Sequence, residues 1–66
     1  MQIKVNGSAM QPSDGSTILD IVASRTVQEE TVIVLLNGEI VTRERWGSTT
    51  FKTGDAIEII RVLGGG

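Results

Sequence analysis

Residues 2–5 alternate between apolar and polar side chains, which is the pattern of a half-buried β-strand. In residues 2–5, Ile3 and Val5 share one face and two polar side chains share the other. A second strand-like segment covers residues 56–63. Residues 32–36 are apolar on both faces, which is typical of a central strand. The pattern therefore predicts a half-buried first strand, a central strand over residues 32–36 and a last strand over residues 56–63.

Two Asn-Gly dipeptides, Asn6-Gly7 and Asn37-Gly38, directly follow predicted strands. This dipeptide favours the two-residue hairpin turn in which both central residues take positive φ. We therefore predict two hairpins, with short return strands over residues 9–11 and 39–41.

One helix is predicted over residues 18–25. Thr17 is followed three residues later by Asp20, which resembles an N-terminal capping box with Asp in place of the usual Glu. Four apolar residues at helical spacing then form a single stripe that should face the sheet, namely Ile18, Leu19, Ile21 and Val22.

A single helical turn is predicted over residues 43–46, with Thr42 as its cap. Trp46 and Phe51 are interpreted as side chains that close the edge of a small core, rather than as a platform for a ligand.

The predicted order is strand, strand, helix, strand, strand, short turn, strand. One helix that crosses a mixed sheet of four or five strands is the α+β arrangement called the β-grasp, or ubiquitin-like roll. We assign residues 1–63 to this single domain. Residues 64–66 are glycines without side chains to pack, and we predict that they form a flexible tail.

The last strand is apolar on both faces, so one face is left without a place in the core. Ile57 and Ile59 are expected to face the helix, which leaves Ile60 and Val62 pointing outward. A row of exposed apolar residues usually marks a binding site. We therefore predict a partner-binding face at Ile60 and Val62, with a bulged strand that buries Ile60 as the alternative. The sequence leaves open which alternate residues of 32–36 join this face.

Composition limits the chemistry of the chain. Its 66 residues include no cysteine and no histidine, so it lacks the usual nucleophile, the usual base near neutral pH and the commonest metal ligand. We predict no catalytic residue, no metal site and no cofactor of its own.

Charge and hydropathy argue against two kinds of partner. The six Lys and Arg residues are scattered through a chain of net charge −2 that has one Trp and one Phe. Nucleic acid is therefore not expected as a partner, because the chain lacks a phosphate-binding stripe and a surface on which bases could stack. The longest apolar run, residues 32–36, is too short to span a membrane. The start of the chain lacks the features of a secretion signal, so the cytoplasm is the expected compartment.

Three glycines, Gly64, Gly65 and Gly66, follow the last predicted strand. Glycines carry a large ordering cost and cannot pack, so they are either a frayed end or a functional segment. A glycine segment is thin enough to enter a narrow cleft, where it would present the α-carboxylate of Gly66. A carboxylate acylates other groups only after activation, for example as an acyl-adenylate, and a partner would have to supply the ATP, the magnesium and the electrostatic stabilisation.

The motifs around the second turn and the last strand carry a family resemblance. Residues 36–46 (LNGEIVTRERW), residues 53–59 (TGDAIEI) and the final glycines resemble the ThiS family, the sulfur carriers of thiamine biosynthesis within the ubiquitin-like ThiS/MoaD proteins. The resemblance covers residues 1–66 and is strongest from Val34 onward. Gly64 is a departure, because it places an extra glycine before the diglycine of the family.

The resemblance implies a cycle in which this chain is a protein co-substrate and not an enzyme. An E1-like adenylyltransferase of the ThiF type would use ATP and magnesium to adenylate Gly66. Sulfur that a cysteine desulfurase draws from cysteine would then replace AMP and leave a thiocarboxylate. A thiazole synthase of the ThiG type would take this sulfur into the thiazole ring. Gly64, Gly65 and Gly66 would enter the active site of each partner.

Two other functions stay open from the sequence. A sister sulfur carrier would serve molybdopterin synthesis, cysteine synthesis or tRNA thiolation. A β-grasp interaction module like the TGS domains shares the NGEIV and GDAIEI segments, but such domains are embedded in longer chains and present no free glycine carboxylate.

Overall fold

A computed structural model describes residues 1–26 and 31–62. The α-helix and five strands in these residues are β1 Ile3–Val5, β2 Ser8–Met10, α1 Ile18–Arg25, β3 Val32–Leu36, β4 Glu39–Val41 and β5 Ala56–Arg61. A short 3₁₀-helix, Arg43–Ser48, lies between β4 and β5. The predicted elements are present in the predicted order. The predicted glycine tail lies outside the described residues.

The strands form one mixed sheet in the order β2-β1-β5-β3-β4. β1 and β5 are parallel, whereas the other three neighbouring pairs are antiparallel. The last strand in the sequence, β5, is therefore the central strand of the sheet, and β3, predicted as central, is the interior strand between β5 and β4. A mixed five-stranded sheet with one α-helix is the predicted β-grasp arrangement.

Both Asn-Gly dipeptides form the predicted turns. Asn6 and Gly7 have φ values of 51° and 84°, and Asn37 and Gly38 have φ values of 52° and 86°. Positive φ at both central residues defines the hairpin turn whose twist matches that of the flanking strands. These turns set the registers of β1 with β2 and of β3 with β4.

Replacing Gly38 by valine should lower the free energy of unfolding by about 1–2 kcal/mol, because a β-branched residue is strained at positive φ. A Cβ atom at Gly38 would meet no atom within 4 Å, so we attribute the expected loss to backbone strain. Denaturant unfolding of both proteins measures it. Gly47→Ala is the matched control, because Gly47 is not among the positive-φ residues and its new Cβ would make an ordinary 3.7 Å contact with Leu19. An unchanged unfolding midpoint for Gly38→Val would contradict the turn geometry.

The core lies between α1 and one face of the sheet. Trp46 and Phe51 close its edge as predicted, since both are buried and pack with the other core residues. The indole nitrogen of Trp46 donates to the Val41 carbonyl at 2.9 Å, which satisfies its one polar atom. The remaining buried apolar side chains are Ile3, Val5, Ile18, Ile21, Val22, Val34 and Ile57.

The predicted helix bounds and the capping box are confirmed. The predicted buried stripe included one residue, Leu19, that is not buried. The backbone N–H of Thr17 donates to the Asp20 carboxylate at 2.9 Å. Leu19 is 48% exposed, so its place in the buried stripe was wrong. One residue step turns a helix by about 100°, which carries Leu19 off the core side and towards Gly47 in the 3₁₀-helix.

The second helical segment also differs from its prediction. It is a 3₁₀-helix that extends to Ser48, and the side chain of Thr42 makes no capping hydrogen bond. Instead, the Arg45 N–H donates to the Thr42 carbonyl at 2.8 Å. The Thr49 hydroxyl then donates to the Arg45 carbonyl at 2.6 Å. The segment is therefore held by a backbone hydrogen bond at its start and a side-chain hydrogen bond at its end, and not by the predicted Thr42 cap.

Candidate functional site

The end of β5 is held from both sides. The Val62 N–H donates to the Thr31 carbonyl at 3.0 Å, which continues the pairing of β5 with β3 one residue past the strand. On the other side, the side-chain oxygen of Asn6 accepts a hydrogen bond from the Ile59 N–H at 2.8 Å. The segment that leads to residue 63 therefore has a fixed position relative to the sheet.

Ile60 and Val62 are 46% and 41% exposed, as expected for side chains that point away from the helix. The pairing of β5 with β3 is continuous from Ile57 to Arg61, so no bulge turns Ile60 into the core. The alternative of a buried Ile60 is therefore wrong. That Ile60 and Val62 bind a partner stays a prediction.

Strand pairing brings three further apolar residues to the same face. Ile33 lies opposite Ile60, and Ile40 lies opposite Leu35. We call the set formed by Ile33, Leu35, Ile40, Ile60 and Val62 the outer patch. In residues 1–26 and 31–62, four of the six large apolar side chains that are exposed belong to it. This face is thus the main candidate for a binding surface in the described part of the chain.

Ile40 was not predicted to belong to the exposed face, although the second turn indicates its orientation. A two-residue turn at Asn37-Gly38 requires Leu36 to pair with Glu39, and the next pair is then Leu35 with Ile40. An outward Leu35 therefore implies an outward Ile40. The orientation of Leu35 itself depends on how the helix packs, which the local pattern leaves open.

A hydrogen-bonded cluster joins the second turn to the start of β5. The Asn37 side chain accepts from the Ala56 N–H at 2.9 Å and donates to the Asp55 carboxylate at 3.0 Å. The Lys52 N–H donates to the same carboxylate at 2.8 Å, and Asp55 is only 7% exposed. The hydrogen bond from Asn37 is the largest cause of a lowered pKa at Asp55. The Lys52 amide adds to this effect, and burial partly opposes it.

The Asp55 carboxylate should make the protein less stable in acid. Its pKa is lowered in the folded state, so ionised Asp55 stabilises the fold above the unfolded-state pKa of about 4, and this contribution is lost as pH falls through the folded-state pKa. Urea unfolding should show Asp55→Asn to be less stable than wild type at neutral pH, with a smaller difference below about pH 3. Asp14→Asn, in an exposed loop, controls for the loss of one negative charge. A wild-type advantage that stays constant with pH would rule out this role.

The other predicted site residues are not tested by the structure. Gly64, Gly65 and Gly66 lie outside the described residues, and their roles stay predictions. Among residues 1–26 and 31–62, no cluster of acidic, histidine or cysteine side chains could hold a metal ion. No helix within the same residues is long and apolar enough to cross a membrane.

Comparisons with a family model and with known proteins all indicate the same family. The model of the ThiS family matches residues 2–66. The sulfur carrier protein ThiS of Escherichia coli is 32% identical over 66 residues, which cover 100% of both chains. The sulfur carrier protein ThiS of Bacillus subtilis is 35% identical over 65 residues, which cover 97% of this chain and 98% of that protein.

A solved structure shows the same fold. The crystal structure of the thiamine biosynthesis protein ThiS from Geobacter metallireducens superposes with a TM-score of 0.76 at 37% sequence identity. The superposition covers 100% of both chains.

Proposed function

This chain belongs to the ThiS family, and we propose that it is a sulfur carrier protein of thiamine biosynthesis whose Gly66 carboxylate carries the sulfur. The observation that carries the proposal is the likeness to two bacterial sulfur carriers along essentially their whole length. The β-grasp fold, shared with a ThiS structure over its full length, supports it.

The chemistry follows from the properties of a carboxylate. Direct attack of a sulfur nucleophile on the Gly66 carboxylate would have to expel oxide, which is a very poor leaving group. Attack of the carboxylate on the α-phosphate of ATP instead releases pyrophosphate and forms an acyl-adenylate. The donor's persulfide sulfur then forms a bond to the acyl carbon and AMP departs, which leaves an acyl disulfide. A thiol attacks the donor's sulfur, breaks the S–S bond and forms a new disulfide on the donor, and the chain is left with a thiocarboxylate.

Partner enzymes supply everything in this cycle except the carboxylate. An E1-like adenylyltransferase of the ThiF type binds the ATP and magnesium, and a cysteine desulfurase provides the sulfur. A thiazole synthase of the ThiG type then accepts the sulfur. The chain is the carrier on which these enzymes act. Because Gly64 and Gly65 have no side chains, the end of the chain is thin enough for Gly66 to enter the active-site clefts of the enzymes.

The outer patch is the surface on which we place the adenylating partner. Its five residues are apolar, four of them are exposed on the face opposite the helix, and Ile60 and Val62 lie near the end of β5. Glu58 lies on the same face, opposite Leu35. A partner that covers this patch therefore lies beside the segment that leads to Gly66. The hydrogen bond from Val62 to Thr31 holds Val62, the last described residue, beside β3.

Exchange of pyrophosphate into ATP tests the function. A ThiF-type adenylyltransferase should catalyse this exchange when the chain is added, and an adenylyltransferase from molybdopterin synthesis should respond much less. A preference for the molybdopterin enzyme would support the sister function. No exchange with a ThiF-type enzyme that is active on its own carrier would contradict the proposal.

A further inference from the structure

We propose that Asn6 is a site of spontaneous deamidation in the folded protein, and that the fold protects Asn37 from the same reaction. Asn6 and Asn37 are the only two asparagines of the chain, and each is followed by glycine. A glycine in this position has no side chain to hinder the approach of its backbone nitrogen to the asparagine side chain. The two sites therefore start with the same intrinsic chemistry.

The reaction needs only water as a co-reactant. The backbone nitrogen of Gly7 gives up its proton to solvent and forms a bond to the side-chain carbonyl carbon of Asn6. The bond from that carbon to Nδ2 then breaks, and the nitrogen takes a proton from water and leaves as ammonia. Water opens the resulting cyclic imide at either carbonyl, which gives aspartate or isoaspartate at position 6.

Backbone geometry does not distinguish the two asparagines. The φ values of Asn6 and Asn37 differ by 1°, and those of Gly7 and Gly38 differ by 2°. All four residues are exposed. Any rearrangement of the turn that the attacking nitrogen requires should therefore be similar at both sites.

The side-chain carbonyl groups are matched as well. Asn6 Oδ1 accepts from the Ile59 N–H at 2.8 Å, and Asn37 Oδ1 accepts from the Ala56 N–H at 2.9 Å. In both cases a backbone donor lies where negative charge develops on the oxygen during attack, and it can stabilise that charge.

The difference lies at the nitrogen that must leave. Nδ2 of Asn37 donates to the Asp55 carboxylate at 3.0 Å, whereas Nδ2 of Asn6 donates to no group in residues 1–26 and 31–62. Loss of the Asn37 nitrogen breaks a hydrogen bond to a charged group and removes a donor from a buried carboxylate. Bonds of this kind slow the reaction at Asn37 on the order of 10- to 100-fold relative to Asn6.

Deamidation at Asn6 would change a hydrogen bond to β5, the strand that carries Ile60 of the outer patch. The Asn6 side chain holds the N–H of Ile59, the neighbour of Ile60 in β5. Isoaspartate adds a carbon atom to the backbone of the turn and changes the position from which this side chain reaches β5. Conversion of Asn6 to isoaspartate therefore weakens or displaces the hydrogen bond that joins the β1–β2 turn to β5.

Peptide mapping of aged protein tests the inference. Trypsin cleaves after Lys4, Arg25 and Arg43, so Asn6 and Asn37 fall in separate peptides, 5–25 and 26–43. Folded full-length protein is incubated in mildly alkaline buffer, and mass spectrometry follows the mass increase from amide to acid in each peptide. The 5–25 peptide should convert on the order of 10- to 100-fold faster. Equal rates, or faster conversion of the 26–43 peptide, would overturn the inference.

Three controls test whether the fold, Asn6 and Asp55 cause the difference in deamidation rate between the two peptides. In urea the two peptides should convert at similar rates, because the difference comes from the fold. Asn6→Gln should stop the fast reaction in the 5–25 peptide. Asp55→Ala, incubated at a temperature where circular dichroism shows it folded, should raise the rate at Asn37 towards that at Asn6. A folded Asp55→Ala protein with an unchanged Asn37 rate would show that the carboxylate does not protect this site.

Discussion

Deletion of Gly65 and Gly66 should abolish adenylation of the carrier and leave its thermal midpoint nearly unchanged. All nine buried apolar side chains of the described core lie between Ile3 and Ile57, so the deletion removes none of them. It moves the terminal carboxylate to Gly64, two residues short of the position that is proposed to attack ATP. Pyrophosphate exchange with the adenylating partner measures the first effect, and a circular dichroism melt measures the second.

A longer chain provides the matched control for this deletion. One alanine added after Gly66 keeps both glycines but displaces the carboxylate and places a methyl group in a cleft shaped for glycine. This variant should also lose exchange while it melts like the wild type. Exchange that persists in the deletion variant would show that Gly66 is not the acceptor.

Replacement of Ile60 by lysine should weaken binding to the adenylating partner by about 1–3 kcal/mol, as loss of an apolar interface residue does. The melting temperature should barely change. Ile60 is 46% exposed and lies opposite Ile33 on the face away from the helix, so a lysine there can extend into water in the free protein. In the complex, its charge would be desolvated against an apolar surface, which costs free energy. Isothermal titration calorimetry on the folded variant gives the affinity.

Leu19→Lys is the matched control for Ile60→Lys. Leu19 is 48% exposed, so the two substitutions add the same charge at equally accessible positions. Leu19 lies beside the 3₁₀-helix and not in the outer patch, so its replacement should leave the affinity unchanged. Equal weakening by both variants, or a large loss of stability in Ile60→Lys with normal affinity, would move the docking surface elsewhere.

The elements that the sequence predicted correctly depend on local interactions. Positive φ at the two Asn-Gly turns and the bond from Thr17 to Asp20 involve residues at most three apart. Their residue types favour those conformations without help from the rest of the fold. The helix bounds and both hairpins could therefore be read from the chain.

The features that the sequence did not predict depend on long-range contacts. Parallel pairing of β1 with β5 and the bond from Asn6 to Ile59 join distant parts of the chain. The exposure of Leu19 depends on how α1 is rotated against the sheet and the 3₁₀-helix. Ile40 shares its face with Leu35 through a local turn, but the face on which both lie depends on which side of the sheet the helix covers. A local pattern shows which residues are apolar, and tertiary packing determines which of them are buried.

The sulfur on Gly66 is the central claim, and the intact mass of the chain tests it most directly. The protein is incubated with a ThiF-type adenylyltransferase, ATP, magnesium, a cysteine desulfurase and cysteine, and its mass is then measured. The account predicts the mass increase that accompanies replacement of one oxygen by sulfur, located by digestion in the peptide that follows Arg61. An unchanged mass under conditions that convert the E. coli carrier, or sulfur located in any other peptide, would contradict it.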